Sequence, residues 1–150
     1  MNRLRLLHFV ALLGTTQICT GTGGSQDRRQ AVSGPIPAEL LRIIDGDTIE
    51  VRARIWLDLD LTTHVRLAGI DAPELNGGCA EERRLAQFAR TALDDAIGPG
   101  PIRLVNIRHD KYGGRVIADV LLADGLNASA AMLAAGVVVE WGSAARWCPR

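Results

Sequence analysis

Between positions 49 and 57 every odd position is apolar and the even positions carry Glu50, Arg52, Arg54 and Trp56, which is the pattern of a strand with one buried face. A second apolar run at 39–44 predicts a preceding strand, and Asp45-Gly46 between the two runs is a strong hairpin signal. A turn is predicted at 58–62 and a third strand at 63–70. The apolar face of the central strand carries Ile49, Val51, Ala53, Ile55 and Leu57.

The period changes after position 78. Apolar residues such as Leu85, Phe88 and Leu93 recur at helical spacing, so an amphipathic helix is predicted at 79–97, ended by the Gly-Pro-Gly-Pro run at 98–101. Two more strands are predicted at 102–107 and 115–122, separated by a loop at 109–114. A short helix follows, with Asn127 as its N-cap and Gly136 as its stop. This order predicts an α+β, mainly β, fold: a five-stranded OB-fold barrel with packed helices.

The first 37 residues differ in composition from the rest. A basic start at Arg3 and Arg5, a short apolar run and small polar residues predict a signal peptide at 1–23, with export to the periplasm or the medium. The apolar run is too short to span a membrane, and the residues before Cys19 fit a lipoprotein signal poorly. A Gly/Ser/Pro-rich flexible linker is predicted at 24–37 and one folded domain at 38–150.

Export would place two further cysteines in a compartment where disulfides form. In an oxidising compartment Cys79 and Cys148 are candidates for a disulfide, which would stabilise the fold by about 4 kcal/mol in the chain-entropy model. The alternative is two free thiols that lie far apart in the fold.

Carboxylates cluster at the predicted ends of neighbouring strands. Asp47 follows the first hairpin turn and Asp71 follows the third strand, so the two can meet at one end of the sheet. Adjacent carboxylates repel unless a cation lies between them. Oxygen ligands without nearby histidine or cysteine indicate Ca²⁺, with Mg²⁺ as the weaker alternative, and the Ala72 carbonyl is a candidate ligand. The plain alternative is that Asp45 and Asp47 are turn residues only.

Two arginines accompany these acids. Arg66 lies on the strand that leads to Asp71, and Arg115 begins the fifth strand. Guanidinium groups beside a divalent cation form a site for a phosphodiester, where Glu74 would orient or deprotonate the attacking water. Net charge is zero, so recognition of phosphate has to rest on these few residues. Taken singly, each arginine is also explained as an exposed strand residue.

Three segments in this order, IIDGDTIEV, RLAGIDAPE and HDKYGGRVIADV, resemble the staphylococcal nuclease family over residues 41–136. The resemblance implies an OB-type barrel and Ca²⁺-dependent cleavage of DNA and RNA. It implies Asp47, Asp71 and the Ala72 carbonyl as calcium ligands, Arg66 as a phosphate binder and Glu74 as general base. By the same resemblance, Asp110, Lys111 and Tyr112 line the nucleotide pocket.

The chain departs from the family pattern in two places. The family has DKYGR, whereas Gly114 is inserted here before Arg115. Either Gly113-Gly114 loops out and Arg115 reaches the site, or the second arginine is missing from it; the intact HDKY segment favours the first. The C-terminal part lacks the family's tyrosine-rich run; Trp141 could stack on a base, although packing in the core or on the barrel rim is the favoured interpretation.

The leading hypothesis is an exported, monomeric nuclease with low sequence specificity and no stable protein partner. The alternative is an SNase-like nucleic-acid-binding module with little or no hydrolysis, which the inserted glycine and the absence of net positive charge favour. A third hypothesis is an envelope protein in which the acids bind calcium only to stabilise the fold.

Overall fold

The computed structural model describes residues 31–144 and 147–149. The expected signal peptide at 1–23, Cys19 and the first part of the expected linker lie outside the described residues. Within the described part of the chain, no helix combines the length and the apolar character that crossing a bilayer requires.

Eight strands and two helices make up this part of the chain. In order they are β1 (Ala31–Val32), β2 (Ile36–Ile43), β3 (Thr48–Trp56), β4 (Leu59–Leu67), β5 (Ile70–Asp71), α1 (Ala80–Ile97), β6 (Ile102–His109), β7 (Arg115–Leu121), α2 (Ala128–Ala134) and β8 (Val139–Glu140).

Five of the strands close a barrel. The sheet runs β6-β2-β3-β4-β7, and β7 pairs back onto β6. The β4–β7 pairing is parallel, and the other pairings of the barrel are antiparallel. Strands β5 and β8 form a separate two-stranded sheet. The expected α+β fold, a five-stranded OB-type barrel with packed helices, is therefore confirmed.

The β3–β4 hairpin is longer than the sequence pattern predicts. The turn predicted at 58–62 is confined to Leu57 and Asp58, and Asp58 adopts the left-handed conformation with φ 59°. Aspartate tolerates this conformation, so two residues suffice to reverse the chain. Ile55 and Leu57 were predicted to be buried, but they are 43% and 83% exposed because the tip of the hairpin extends beyond the barrel.

The N-terminal end of the described chain pairs with the barrel, although residues 31–37 belong to the range predicted as flexible linker. β1 pairs with the C-terminal half of β6, and β2 pairs with the N-terminal half of the same strand. Between them, the Ser33 carbonyl accepts a hydrogen bond from the Asn106 N–H at 2.9 Å. Gly34, with φ 78°, lies so close to β6 that a Cβ there would be 2.3 Å from the Leu104 carbonyl oxygen. The edge of β6 offers backbone partners that a sequence pattern does not reveal.

Helix α1 covers one end of the barrel. Its buried face carries Ala86, Ala89, Leu93 and Ile97, whereas Phe88, expected on that face, is exposed beneath the Arg84 guanidinium. Small residues let the helix approach closely, since a Cβ on Gly46 would lie 2.6 Å from the Ala89 Cβ. Packing of α1 therefore fixes the turn between β2 and β3.

A disulfide joins the C-terminal segment to the start of α1. Cys79 and Cys148 are bonded, with their Cα atoms 6.0 Å apart. Cys79 is also the N-cap of α1, and its sulfur accepts a hydrogen bond from the Glu82 N–H at 3.4 Å. The bridge thus holds the first turn of the helix that follows the 72–78 loop.

Candidate active site

The turn between β2 and β3 presents two aspartates at one end of the barrel. The Asp47 N–H donates a hydrogen bond to Asp45 Oδ1 at 3.1 Å, which closes the turn. Asp47 is 3% exposed, and its carboxylate accepts hydrogen bonds from the Thr48 hydroxyl at 2.8 Å and from the Ala72 N–H at 3.3 Å. The carboxylate is therefore fixed by three elements: the turn, β3 and the segment that follows β5.

Arg66 lies between two carboxylates. Its Nη1 is 2.8 Å from Oδ1 and 2.7 Å from Oδ2 of Asp47, and its Nη2 is 2.9 Å from Asp71 Oδ1. Nη2 also lies 3.4 Å from the Ile70 carbonyl oxygen. The contact follows from strand register, because Arg66 on β4 is paired with Thr48 on β3, the residue after Asp47.

Burial dominates the electrostatics of Asp47. Removal from water raises the pKa of Asp47 to about 7, with the Asp45 charge acting in the same direction, while the Arg66 charge and the Thr48 hydrogen bond act against the rise. Arg66 Nη1 lies 2.7 Å from Asp47 Oδ2, which is a distance typical of a charge-assisted contact. This geometry favours the state in which Asp47 is ionised and paired with the Arg66 guanidinium.

Glu74 stands on the loop between β5 and α1. Partial burial raises the pKa of its carboxyl, and the Asp45 charge adds to the rise. The loop is tied back to the helix: the Gly77 N–H donates to the Glu74 carbonyl at 2.9 Å, and the Gly78 N–H donates to the Glu82 carboxylate at 2.9 Å. A carboxyl with a raised pKa can accept a proton more readily near neutral pH than an ordinary one.

Arg115 is placed on the wall of the same site. The extra residue of DKYGGR is absorbed in the β6–β7 loop, where Gly114 takes φ 79°. Arg115 Nε lies 2.6 Å from Asp110 Oδ2, and the guanidinium carbon is 5.2 Å from the centroid of the Tyr112 ring. Burial acts to raise the pKa of Asp110, but the hydrogen bond and charge of Arg115, together with hydrogen bonds from the backbone of Lys111 and Tyr112, lower that pKa below its usual value.

One pocket of about 510 Å³ gathers most of the residues expected to form the site. Of those residues, the pocket is lined by Arg66, Asp71, Glu74, Asp110, Lys111, Tyr112 and Arg115. Asp47 lies behind Arg66, and Ala72 is buried beside Asp47. Both guanidinium groups, Glu74 and one of the two aspartates expected to bind metal therefore share a cavity large enough for a nucleotide-sized ligand.

A family model described as "Staphylococcal nuclease homologue" matches residues 64–145 of the chain. The chain belongs to the staphylococcal nuclease family. The turn that carries Asp45 and Asp47 lies upstream of the matched residues, and its contact with Arg66 joins it to the family segment.

The relatives of this family member are named as endonucleases. It is 28% identical over 101 residues to an "Uncharacterized endonuclease" of Escherichia coli, the match covering 67% of this chain and 58% of that protein. It is 40% identical over 63 residues to the "Probable endonuclease lcl3" of Penicillium rubens, with coverage of 42% and 21%. The chain thus spans little more than half of the first relative and a smaller part of the second.

Three polar or aromatic residues of the pocket were not among the expected site residues of this staphylococcal nuclease homologue. Asp45 was interpreted as a turn residue, Arg108 was not singled out, and Trp141 was expected in the core or on the rim. Trp141 is 61% exposed, and its ring centroid lies 5.1 Å from the Arg66 guanidinium carbon. The backbone N–H of Trp141 donates to the Gly69 carbonyl at 2.9 Å, beside the β5–β8 pair. That short two-stranded sheet carries no recognisable sequence signal, so the approach of Trp141 could not be read from the chain.

The donor set at the site is suited to a hard cation. Asp47 and Asp71 offer carboxylate oxygens, and Ala72 adjoins both of them. A second group of candidate ligand atoms, from Cys79, Glu82 and Cys148, lies within 4.8 Å of one another. The two sulfurs of that group are bonded to each other, so they are not available as thiolate ligands.

Proposed function

We propose that the protein is an exported nuclease that hydrolyses phosphodiester bonds of DNA and RNA, with low sequence specificity and with Ca²⁺ as its cofactor. The single observation that carries the proposal is the pocket in which Arg66, Arg115 and Glu74 meet beside Asp71. Membership of the staphylococcal nuclease family and the names of the relatives support the same reaction class.

The two arginines are the proposed phosphate binders. Each guanidinium has N–H donors in a planar fork, which matches two oxygens of a phosphodiester. When water attacks phosphorus, negative charge increases on the phosphoryl oxygens, and fixed positive groups at the wall of the pocket lower the energy of that state. Arg66 is held by Asp47 and Asp71, and Arg115 by Asp110, so both guanidinium groups are retained at the pocket in the absence of substrate.

Glu74 is the proposed general base. As the bond from the water oxygen to phosphorus forms, the Glu74 carboxylate accepts the water proton. The bond from phosphorus to the leaving sugar oxygen breaks, and that oxygen keeps the bonding electron pair and takes a proton from solvent water. The raised pKa of Glu74 suits this transfer, since proton acceptance is most effective when the pKa lies near the working pH.

Asp47, Asp71 and the Ala72 carbonyl are the proposed ligands of Ca²⁺, because carboxylate and carbonyl oxygens are the donors that this ion prefers. A bound Ca²⁺ would supply Lewis-acid polarisation of the phosphate and a lower pKa for a bound water. Mg²⁺ is the alternative ion, and parallel assays with the two metals discriminate between them.

Low sequence specificity is proposed from the kind of groups that line the pocket. Guanidinium groups recognise the phosphate that all nucleotides share, and the exposed rings of Tyr112 and Trp141 offer faces on which any base can stack. Export is proposed from the N-terminal sequence pattern, and the Cys79–Cys148 disulfide is in keeping with an oxidising compartment.

The test is a plasmid-digestion and RNA-digestion assay with Ca²⁺, with Mg²⁺ and with chelator. We expect cleavage with Ca²⁺, loss in chelator, and a loss of about a hundredfold or more in Glu74→Gln. Glu81→Gln is the matched control, because it makes the same chemical change on the exposed side of α1, where Glu81 pairs with Arg84. Cleavage that persists undiminished in chelator, or equal loss in both variants, would contradict the mechanism.

A binding module with little hydrolysis is the second candidate. It is favoured by one observation: both guanidinium groups already have carboxylate partners, so the substrate must compete for them. In the same assay this candidate gives a gel shift with DNA or RNA and no cleavage under any metal condition.

A further inference from the structure

Arg66 occupies the space between the two proposed calcium carboxylates. Its Nη1 contacts both oxygens of Asp47, and its Nη2 contacts Asp71 Oδ1. The Arg66 side chain is only 13% exposed, so the guanidinium is inserted between the acids rather than lying over them. A single side chain therefore satisfies both of the acids that would hold the metal.

We infer that Arg66 is an internal counter-cation that Ca²⁺ has to displace, so that Arg66 lowers the affinity for the ion. The inference rests on the proposed function, because it takes Asp47 and Asp71 as the calcium ligands. Two cations cannot share the same carboxylate oxygens without mutual repulsion, and each N–H contact reduces the electron density that an oxygen offers to a metal.

Displacement would also prepare Arg66 for its substrate. A guanidinium that loses its carboxylate partners in a largely buried site needs a new anion, and a phosphodiester supplies one. The ring of Trp141 lies 5.1 Å from the guanidinium carbon and lines the same pocket, so displacement of the guanidinium would change the surroundings of that ring. Calcium binding and phosphate binding would then favour each other, as linkage requires.

The first measurement is a calorimetric Ca²⁺ titration of the full chain, using wild type, Arg66→Gln, Arg66→Lys and Arg115→Gln. We expect Arg66→Gln to bind Ca²⁺ about tenfold more tightly, since a neutral side chain no longer competes for the carboxylates. Arg66→Lys keeps one charge but lacks the planar fork, so its affinity should fall between wild type and Arg66→Gln.

Arg115→Gln is the matched control. It removes the same charge from the same pocket, but its partner is Asp110 rather than a proposed ligand of the ion. We expect its calcium affinity to stay within about threefold of wild type. Equal tightening in Arg66→Gln and Arg115→Gln would show a general effect of pocket charge and would overturn the inference.

A second readout follows the guanidinium itself. In a Trp56→Phe/Trp147→Phe background, Trp141 is the only tryptophan, and its emission reports the contact with Arg66. We expect Ca²⁺ to change this emission when Arg66 is present and to leave it unchanged in Arg66→Gln. If Arg66→Gln does not fold, two results remain as the test. The inference then requires that Arg66→Lys binds Ca²⁺ more tightly than wild type and that Ca²⁺ changes the Trp141 emission of the chain that contains Arg66.

The outcomes separate the inference from the proposed function. Wild-type binding of Ca²⁺ with equal or weaker binding in the Arg66 variants would overturn the counter-cation role and leave the metal assignment in place. Absence of Ca²⁺ binding in wild type and in every variant would overturn both.

Discussion

Removing the disulfide gives a stability change whose size follows from the structure. The bridge joins residues separated by 69 positions, so it closes more than half of the described chain into a loop. In the chain-entropy model a loop of this length is worth about 4 kcal/mol of unfolding free energy. Cys148→Ser breaks the bridge and leaves the Cys79 sulfur in its place as N-cap of α1. We therefore expect Cys148→Ser to lower the free energy of unfolding by about 4 kcal/mol.

The assay is equilibrium unfolding in urea, followed by far-ultraviolet circular dichroism and by tryptophan emission. The free energy of unfolding of wild type in excess dithiothreitol should equal that of Cys148→Ser. The double variant Cys79→Ser/Cys148→Ser should be at least as stable as Cys148→Ser, because serine is a good N-cap. Peptide mapping of the oxidised chain checks the pairing of the two cysteines directly. A difference of less than about 1 kcal/mol between oxidised wild type and Cys148→Ser would refute the loop-closure reasoning.

Three further changes test the fold. Leu93→Ala removes a fully buried side chain of the core and should cost about 2–5 kcal/mol of unfolding free energy, measured in urea, whereas a change below 1 kcal/mol would mean that the site is not close-packed. Gly34→Ala forces a Cβ against the Leu104 carbonyl at positive φ, so a lower melting temperature is expected, and an unchanged one would contradict the close approach. The Arg42 hydrogen bond lowers the pKa of Glu50, so the stability that this carboxylate contributes is present above its unfolded-state pKa and is lost as pH falls through its folded-state pKa. Glu50→Gln should therefore lower the urea midpoint of unfolding at pH 7 but not near pH 2. An equal decrease of the midpoint at both pH values would refute the pairing.

Sequence patterns captured what is local in this fold. Alternation identified the buried face of β3 through Ile49, Val51 and Ala53, and helical spacing placed α1 within one residue of its observed start. The pattern failed where neighbours decide burial. Ile55 continues the alternation of β3, yet it is 43% exposed, because it lies beyond Ala53, where the pairing of β3 with β2 ends in the described part of the chain. Periodicity reports what a strand could bury, and tertiary packing decides how much of it is buried.

The expected site residues follow the same division. The expected approach of Asp47 and Asp71 rested on adjacent strands, and the register that pairs Thr48 with Arg66 places Arg66 between the two carboxylates. The position of Arg115 depends on how the chain accommodates the extra residue Gly114, which the sequence pattern alone does not determine. In the structure the β6–β7 loop accommodates it, and Arg115 lines the pocket. Trp141 reaches the pocket through the pairing of β5 with β8, two strands of two residues each. Such short pairings have no periodicity to detect.

The parallel pairing of β4 with β7 has a consequence for the order of folding. The β3–β4 hairpin is contiguous in sequence and can form early, whereas β7 reaches β4 only after α1 and β6 have been synthesised. Contacts between distant segments slow folding, because loop closure precedes the gain in contact energy. Barrel closure should therefore be the late, rate-determining event, and until then the nascent chain keeps the edge of β4 open to chaperones or to other chains.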